Sequence, residues 1–265
     1  MAEFYDTHAH LDFPDFKPDL EAVVQRALDA GITRILSVGT TLESSRRVVA
    51  LAERFEAVFA IVGVHPNHVM EEPDDITAPL RELARHPKAV AIGEAGIDHY
   101  RLEAGSQSEI EAVKAKQRRL FVQQLEVAAE SGLNCMIHQR SGFRETLDLM
   151  APFRGQVRGV FHCFTGTPDE ARQVLDTGSM LSFTGITTFK NAQNVRDSLA
   201  VAALGQFMLE TDCPFLAPVP YRGKRCEPAY VRELAEFVAA EKGCTLDALG
   251  AATCSAARDF FRRLH

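Results

Sequence analysis

Cysteine pairing is missing from this 265-residue chain. Its six cysteines, Cys135, Cys163, Cys213, Cys226, Cys244 and Cys254, include no CxxC pair, which removes the spacing of a zinc ribbon or a dithiol redox site. The chain starts Met-Ala-Glu-Phe, without a basic segment leading into an apolar one, so no signal peptide is expected. Unpaired thiols and no leader point to the reducing cytoplasm. Also absent is any apolar run of the roughly 20 residues that a spanning helix requires, so no membrane partner is expected. Positive charge is not in excess: 29 Lys and Arg stand against 36 Asp and Glu, a net charge of −7. That balance does not suit a protein that coats nucleic acid without specificity, although one local basic pocket still suits a phosphate. No low-complexity tract, Ser/Gly linker or break in composition divides the chain. A single domain over residues 1–265 is expected, and nothing points to an obligate protein partner. With 46% hydrophobic and 25% charged residues it is globular rather than disordered or fibrous.

What is present is an alternation. Short apolar or β-branched runs, each followed by a stretch of helical spacing, occur at Phe4–Thr7, Arg34–Val38, Val58–Val64, Val90–Glu94, Cys135–His138, Gly159–Cys163, Met180–Phe183 and Phe207–Glu210. The last helices fall near Pro228–Glu241 and Leu246–Arg262. Continuous apolar runs such as Ala60-Ile61-Val62-Gly63-Val64 read as strands buried on both faces. Eight βα units in one chain give an α/β fold, a single (β/α)8 TIM barrel with a C-terminal extra helix. The competing open doubly wound sheet would more often carry a Gly-rich phosphate loop after its first strand. Here that strand runs instead into Asp6-Thr7-His8-Ala9-His10.

His8 and His10 are two residues apart on a strand, so their imidazoles leave on the same side. Two such nitrogens suit zinc, manganese or iron. The other strand ends supply Glu94, His138, His162 and Asp212. In a barrel the carboxyl ends of all strands face one rim, so these six residues are expected in one basin. Buried carboxylates and imidazoles there are costly unless paired or bound to metal. Four imidazoles and two carboxylates exceed one tetrahedral ion and fit two, with Glu94 as the bridge. One ion takes His8, His10, Glu94 and Asp212; the other takes Glu94, His138 and His162. A water beside two such ions deprotonates near neutral pH, and Asp212 orients it or accepts its proton. The cofactors expected are therefore two divalent ions, Mg, Mn or Zn.

His65, in Gly63-Val64-His65-Pro66, and Arg140, two residues past His138, are candidate substrate contacts on the same rim. So are Arg222, Lys224 and Arg225, three cations in four residues after the eighth strand, which suit a phosphate. His68, His86, His99 and His265 are expected to be solvated, as is the outer face carrying Lys114–Arg119. Cys163 and Cys213 adjoin His162 and Asp212 but have no separate base, and are expected to be bystander thiols.

These motifs resemble one known family. Asp6-Thr7-His8-Ala9-His10, Gly63-Val64-His65-Pro66, Gly93-Glu94-Ala95-Gly96-Ile97-Asp98, Phe161-His162-Cys163-Phe164-Thr165-Gly166 and Glu210-Thr211-Asp212-Cys213-Pro214 look like the TatD family of metal-dependent deoxyribonucleases. Arg222-Gly223-Lys224-Arg225, followed by Glu227-Pro228-Ala229-Tyr230, is similar as well. The blocks run in the family's order from Asp6 to the C-terminal helix. The resemblance implies an amidohydrolase-like barrel, a divalent metal centre and hydrolysis of phosphodiester bonds in DNA, often 3′–5′ and on single strands. It implies ligands at His8, His10, Glu94, His138, His162 and Asp212, with Glu94 and Asp212 catalytic, and places His65, Arg140 and the Arg222–Arg225 loop near substrate. Two departures stand out. Cys226 occupies a place where the family usually has Asn, and Asn134-Cys135-Met136-Ile137 has fewer β-branched residues than usual. The insertion-like stretch Arg101–Glu111 is expected to reshape the rim.

The alternative keeps the barrel and its metals but cleaves an amide or ester of a small molecule or of an aminoacyl-tRNA. Glu94 stands where a carboxylated lysine often bridges in such enzymes, and the basic loop calls for phosphate; both favour the nuclease. A non-catalytic metal-binding module is a third possibility, which an intact set of six ligands opposes.

Overall fold

The computed structural model describes residues 2–100, 102 and 106–264. Eight parallel strands pair in chain order: β1 (Phe4–Ala9), β2 (Ile32–Val38), β3 (Val58–Val62), β4 (Ala89–Asp98), β5 (Asn134–Arg140), β6 (Gly159–Phe161), β7 (Met180–Phe183) and β8 (Phe207–Leu209). Each is followed by a helix: α1 (Leu20–Asp29), α2 (Leu42–Arg54), α3 (Thr77–Ala84), α4 (Gln107–Ser131), α5 (Phe143–Met150), α6 (Pro168–Asp176), α7 (Gln193–Val201) and α8 (Val231–Lys242). α9 (Leu246–Phe260) is the extra C-terminal helix. The expected barrel is present. Its seam is closed by an isolated parallel bridge between Ala9 and Cys213 rather than by a ladder, with His8 C=O accepting from Asp212 N–H at 2.9 Å. Asp6 ties the same seam, accepting from the Thr211 N–H at 2.9 Å and the Thr211 hydroxyl at 2.6 Å. Burial pushes the Asp6 carboxyl up to about 8.

Strand alternation divides the apolar side chains between two clusters. One lies between the barrel wall and the helices. The other fills the barrel with Tyr5, Leu36, Ile61, Met136, Val160 and Met208, and is stoppered by Ala257, Phe260, Phe261 and Leu264 at the end of the chain. α9 thus closes the bottom, and the opposite rim is left for polar groups.

Local signals set the helix ends. Ser106 and Glu109 form a capping box on α4, and Thr167 and Glu170 form one on α6. In the expected rim insertion, residues 101 and 103–105 lie outside the described residues, and Ser106–Glu111 is the cap and first turn of α4.

The fourth strand differs from expectation. It continues past Glu94 to Asp98, with a register shift between Ile92 and Ala95 against β5. Glycine makes the shift possible. Gly93 and Gly96 have φ of 137° and 146°, where a side chain is strained. A Cβ on Gly93 would lie 2.5 Å from Met136 O, and one on Gly96 would collide with His138 O. β6 and β8 stop short, so His162 and Glu210 are the first residues beyond their strands.

Candidate metal centre

His8 belongs to β1 and His10 follows it, so period-two geometry carries both rings inward at the rim, where they are buried. Glu94 enters from the shifted part of β4, His138 from β5, His162 from just beyond β6, and Asp212 from beyond β8. Asp212 and Cys163 adopt φ of 58° and 46°, a conformation non-glycine residues hold only under constraint and often at functional sites.

The six residues expected together are together. Glu94 Oε1 lies 2.8 Å from His138 Nδ1 and 2.6 Å from His162 Nε2. Its other oxygen, Oε2, lies 3.4 Å from His8 Nε2 and 3.9 Å from His10 Nε2. Asp212 Oδ1 completes the second set at 3.7 Å from His8 Nε2 and 3.4 Å from His10 Nε2. One carboxylate therefore faces two histidine pairs, one through each oxygen. His8 and His162 stack at 4.0 Å between ring centroids, joining the two sets.

The ring nitrogens facing away from Glu94 determine which lone pairs are free. His10 Nδ1 is 3.2 Å from Val38 O, an acceptor, so it carries the proton and Nε2 faces inward unprotonated. His138 Nε2 is 3.2 Å from Asp98 Oδ2, and His162 Nδ1 is 3.6 Å from Glu210 Oε1. Carboxylates behind ligating histidines fix tautomer and ring angle. Neither His8 Nδ1 nor His162 Nδ1 has a hydrogen-bond partner among the described residues. This donor set fits divalent ions: mixed imidazole and carboxylate atoms, close-set, with lone pairs turned inward.

Electrostatics agree with the geometry. Burial alone would raise Glu94, but His162, His65, His8 and His138 hold it well below the usual carboxylate range. Burial likewise opposes ionisation of Asp212, and His10, His8 and His162 outweigh it. His10, His138 and His162 are raised despite burial, because carboxylates face each of them, so a divalent ion taking those carboxylates would displace protons from the rings.

His65 is brought closer than a rim contact needs to be. Its Nε2 is 3.2 Å from His138 Nδ1 and 3.4 Å from Glu94 Oε1, within the span of a third cluster of possible ligands, His65, Glu94 and His138. The nitrogen it turns inward separates it from the others. His65 Nδ1 accepts the Asn67 N–H at 3.0 Å, and burial drops the ring to about 3. The ring is therefore neutral and Nε2 carries its proton, which makes it a hydrogen-bond donor toward the centre.

Above these groups lie two adjoining cavities of about 420 and 460 Å³, which share His138, Arg140, His162, Asp212 and Phe215. A hollow of about 520 Å³ between α1 and the region of Phe55 and Glu56 lies apart from this cluster. The proposed phosphate contacts divide. Arg140 lines both cavities, its guanidinium 3.6 Å over the Tyr100 ring. Arg222 is exposed over Phe189 at 4.4 Å, and Lys224 is exposed beside Tyr221; neither lines the cavities. Arg225 is engaged elsewhere, its two terminal nitrogens each 2.8 Å from Asp19 and its face over Phe16.

Other expectations shift as well. His68 is half-buried and lines the cleft, 6.1 Å from the His65 ring, because the turn after Pro66 folds it back. His86 and His99 are half-buried beside Glu53 and Glu145 rather than solvated. His265 lies outside the described residues. Cys226 is buried with Sγ 4.0 Å from Glu227 O, so it belongs to the core and not to the rim. All six thiols are free. Burial, with Asp212 and Glu210, pushes Cys163 well up, which removes it as a nucleophile. Asp98 and Asn67 were not expected at the site. Asp98 falls four residues after Glu94, a strand spacing that leaves both on one face, and Asn67 Nδ2 donates to it at 3.2 Å.

Comparison with known proteins adds four likenesses. Residues 5–262 match the family of TatD-related DNases. The metal-dependent hydrolase YabD of Bacillus subtilis is 34% identical over 97% of this chain and 98% of its own length. A 3'-5' ssDNA/RNA exonuclease TatD of Enterobacter lignolyticus is 34% identical over 90% of this chain and 91% of its own. Among solved structures, the TatD homolog YJJV of Escherichia coli superposes with a TM-score of 0.89 at 28% identity, covering 98% of each chain.

Proposed function

The chain belongs to the TatD-related DNase family and is a metal-dependent hydrolase acting on ester bonds, and from that premise we propose that it hydrolyses phosphodiester bonds of single-stranded DNA with two divalent ions, as a 3′–5′ exonuclease. The single domain of residues 1–265 works in the reducing cytoplasm. The observation that carries this is the division of Glu94, one oxygen toward His138 and His162 and the other toward His8 and His10. A bridging carboxylate between two sets of donors is the joint of two-metal phosphodiester sites. Polarity and strand preference rest on the naming of relatives such as the Enterobacter exonuclease.

His8, His10, Glu94 and Asp212 would hold one ion, and Glu94, His138 and His162 the other. Bound there, the ions supply Lewis acidity, polarising a phosphoryl oxygen and making a water nucleophilic at neutral pH. The rest falls to the chain. Asp98 holds the His138 ring in place, and Glu210 stands 3.6 Å behind that of His162. Asp212, kept as a carboxylate, orients the attacking water and accepts its proton. His65 points its Nε2–H into the centre, where it donates to a phosphate oxygen. Arg140, flattened on Tyr100, meets a phosphate at the cleft mouth, while Arg222 and Lys224 attract the strand from the exposed loop. Arg225 anchors that loop through Asp19.

The test is release of nucleotides from an end-labelled single strand with Mg, Mn or Zn, run beside a panel of neutral amides and esters. Metal-dependent shortening from the 3′ end is expected. Turnover of the neutral panel without cleavage of the strand would give the site to amide or ester chemistry instead.

A further inference from the structure

The cleft has two unlike halves. The half over His65 and Asp98 is mostly polar; the other sets Ile186 and Leu216 beside Gln139 and Thr165. Phe215 stands between them, lining both, and leaves 52% of its surface exposed. This phenyl ring stands three residues from Asp212, with its face open to the cleft. Its position is fixed. The Phe215 N–H donates to Asp212 O at 3.0 Å, and Phe13 meets its ring edge-on at 6.0 Å and 81°. Phe13 itself stacks on His10 at 4.7 Å, so the aromatic ledge is continuous with the metal centre. Across the cleft Arg140 lies face-on to Tyr100, a planar cation spanning both halves. A π-face, two aliphatic side chains and a planar cation beside a phosphate-cleaving centre are the features that hold single-stranded bases.

We propose that Phe215 is a stacking platform for the nucleobase beside the scissile phosphate, seated in the half of the cleft walled by Ile186 and Leu216. This rests on the phosphodiesterase function above and adds what the site recognises besides phosphate. Stacking reads no base edge, so cleavage tolerates any sequence and requires only that a base be present and unpaired.

A strand with natural bases is compared with one whose last two nucleotides are abasic, using the metal-loaded enzyme. Loss of the base should raise KM by roughly 5- to 150-fold, the size of one base–aromatic stack, with kcat little changed. Phe215→Ala should raise KM on the natural strand by the same factor, Phe215→Trp should restore it, and ring and base removed together should cost no more than either alone. Additive penalties, or an unchanged KM for Phe215→Ala on natural strands, overturn the platform while leaving the phosphodiesterase intact. A wild-type enzyme that cuts neither strand overturns both. A second readout needs no turnover. The chain contains no tryptophan, so Phe215→Trp carries its only indole. A natural strand with phosphorothioate ends should quench that fluorescence and an abasic-ended one should not; equal response to the two strands, or none, contradicts the proposal.

Discussion

Asp98 Oδ2 lies 3.2 Å from Nε2 of His138, on the side of the ring opposite Glu94. The carboxyl is buried, and although burial opposes its charge, hydrogen bonds from His138, the Tyr100 N–H and Asn67 hold it below the usual range. His138 is thus gripped between two carboxylates, with one nitrogen turned to the centre and the other used for orientation. Asp98→Ala should weaken metal binding by about 10- to 100-fold, the usual loss when a partner behind a ligating histidine is removed. Asp98→Asn keeps an acceptor and should lose less. Competition against a chromogenic chelator measures both, and unchanged affinity in Asp98→Ala would remove the orienting role.

His65 and His138 are 3.2 Å apart but turn opposite nitrogens inward: His65 presents its protonated Nε2 and His138 its bare Nδ1. His138→Ala should lose one ion per chain. His65→Ala should keep both ions and lose turnover by at least about 10²-fold, the scale of one positioned hydrogen-bond donor at the reacting centre. Elemental analysis beside kcat separates them. Loss of an ion in His65→Ala would make it a ligand.

The cations should differ in salt dependence. A side chain that neutralises one phosphate of a single strand contributes about 0.7 to the slope of log binding against log salt, and its removal flattens the slope by that amount. Arg140→Ala should show that change. Arg225→Ala should leave the slope alone and lower the melting temperature, because its guanidinium already serves Asp19. A flattened slope in Arg225→Ala would return it to the phosphate.

Phe260 is fully buried at the bottom of the barrel. Phe260→Ala should cost about 3–5 kcal/mol of stability, the range for an emptied aromatic site, while the folded protein keeps its metal content. Chemical denaturation with metal analysis checks this. A loss below about 1 kcal/mol, the cost of a peripheral site, would show that α9 does not close the barrel.

The alternation of apolar runs made the barrel legible, because strands buried on both faces and helices with one buried face have different periods. The six donors stood out as polar residues at the ends of apolar strands. The run of β4 beyond Glu94 was hidden by Gly93 and Gly96, whose backbone angles no residue pattern announces. Asp98 was obscured for the same reason. The basic loop misled in part: Arg222, Lys224 and Arg225 are alike in sequence, and only the placement of Asp19 distinguishes Arg225. Phe215, Phe13 and Tyr100 are isolated aromatics along the chain, and only barrel closure gathers them at one mouth.

The most direct test of the central claim is to strip the protein of metal and add one divalent ion stepwise while following cleavage of a labelled single strand. If Glu94 joins two ions, activity should stay low through the first equivalent and rise to its plateau at the second. In Glu94→Gln the bound stoichiometry and the plateau should both fall. Full activity at one equivalent, or undiminished cleavage by metal-replete Glu94→Gln, would contradict the two-ion centre.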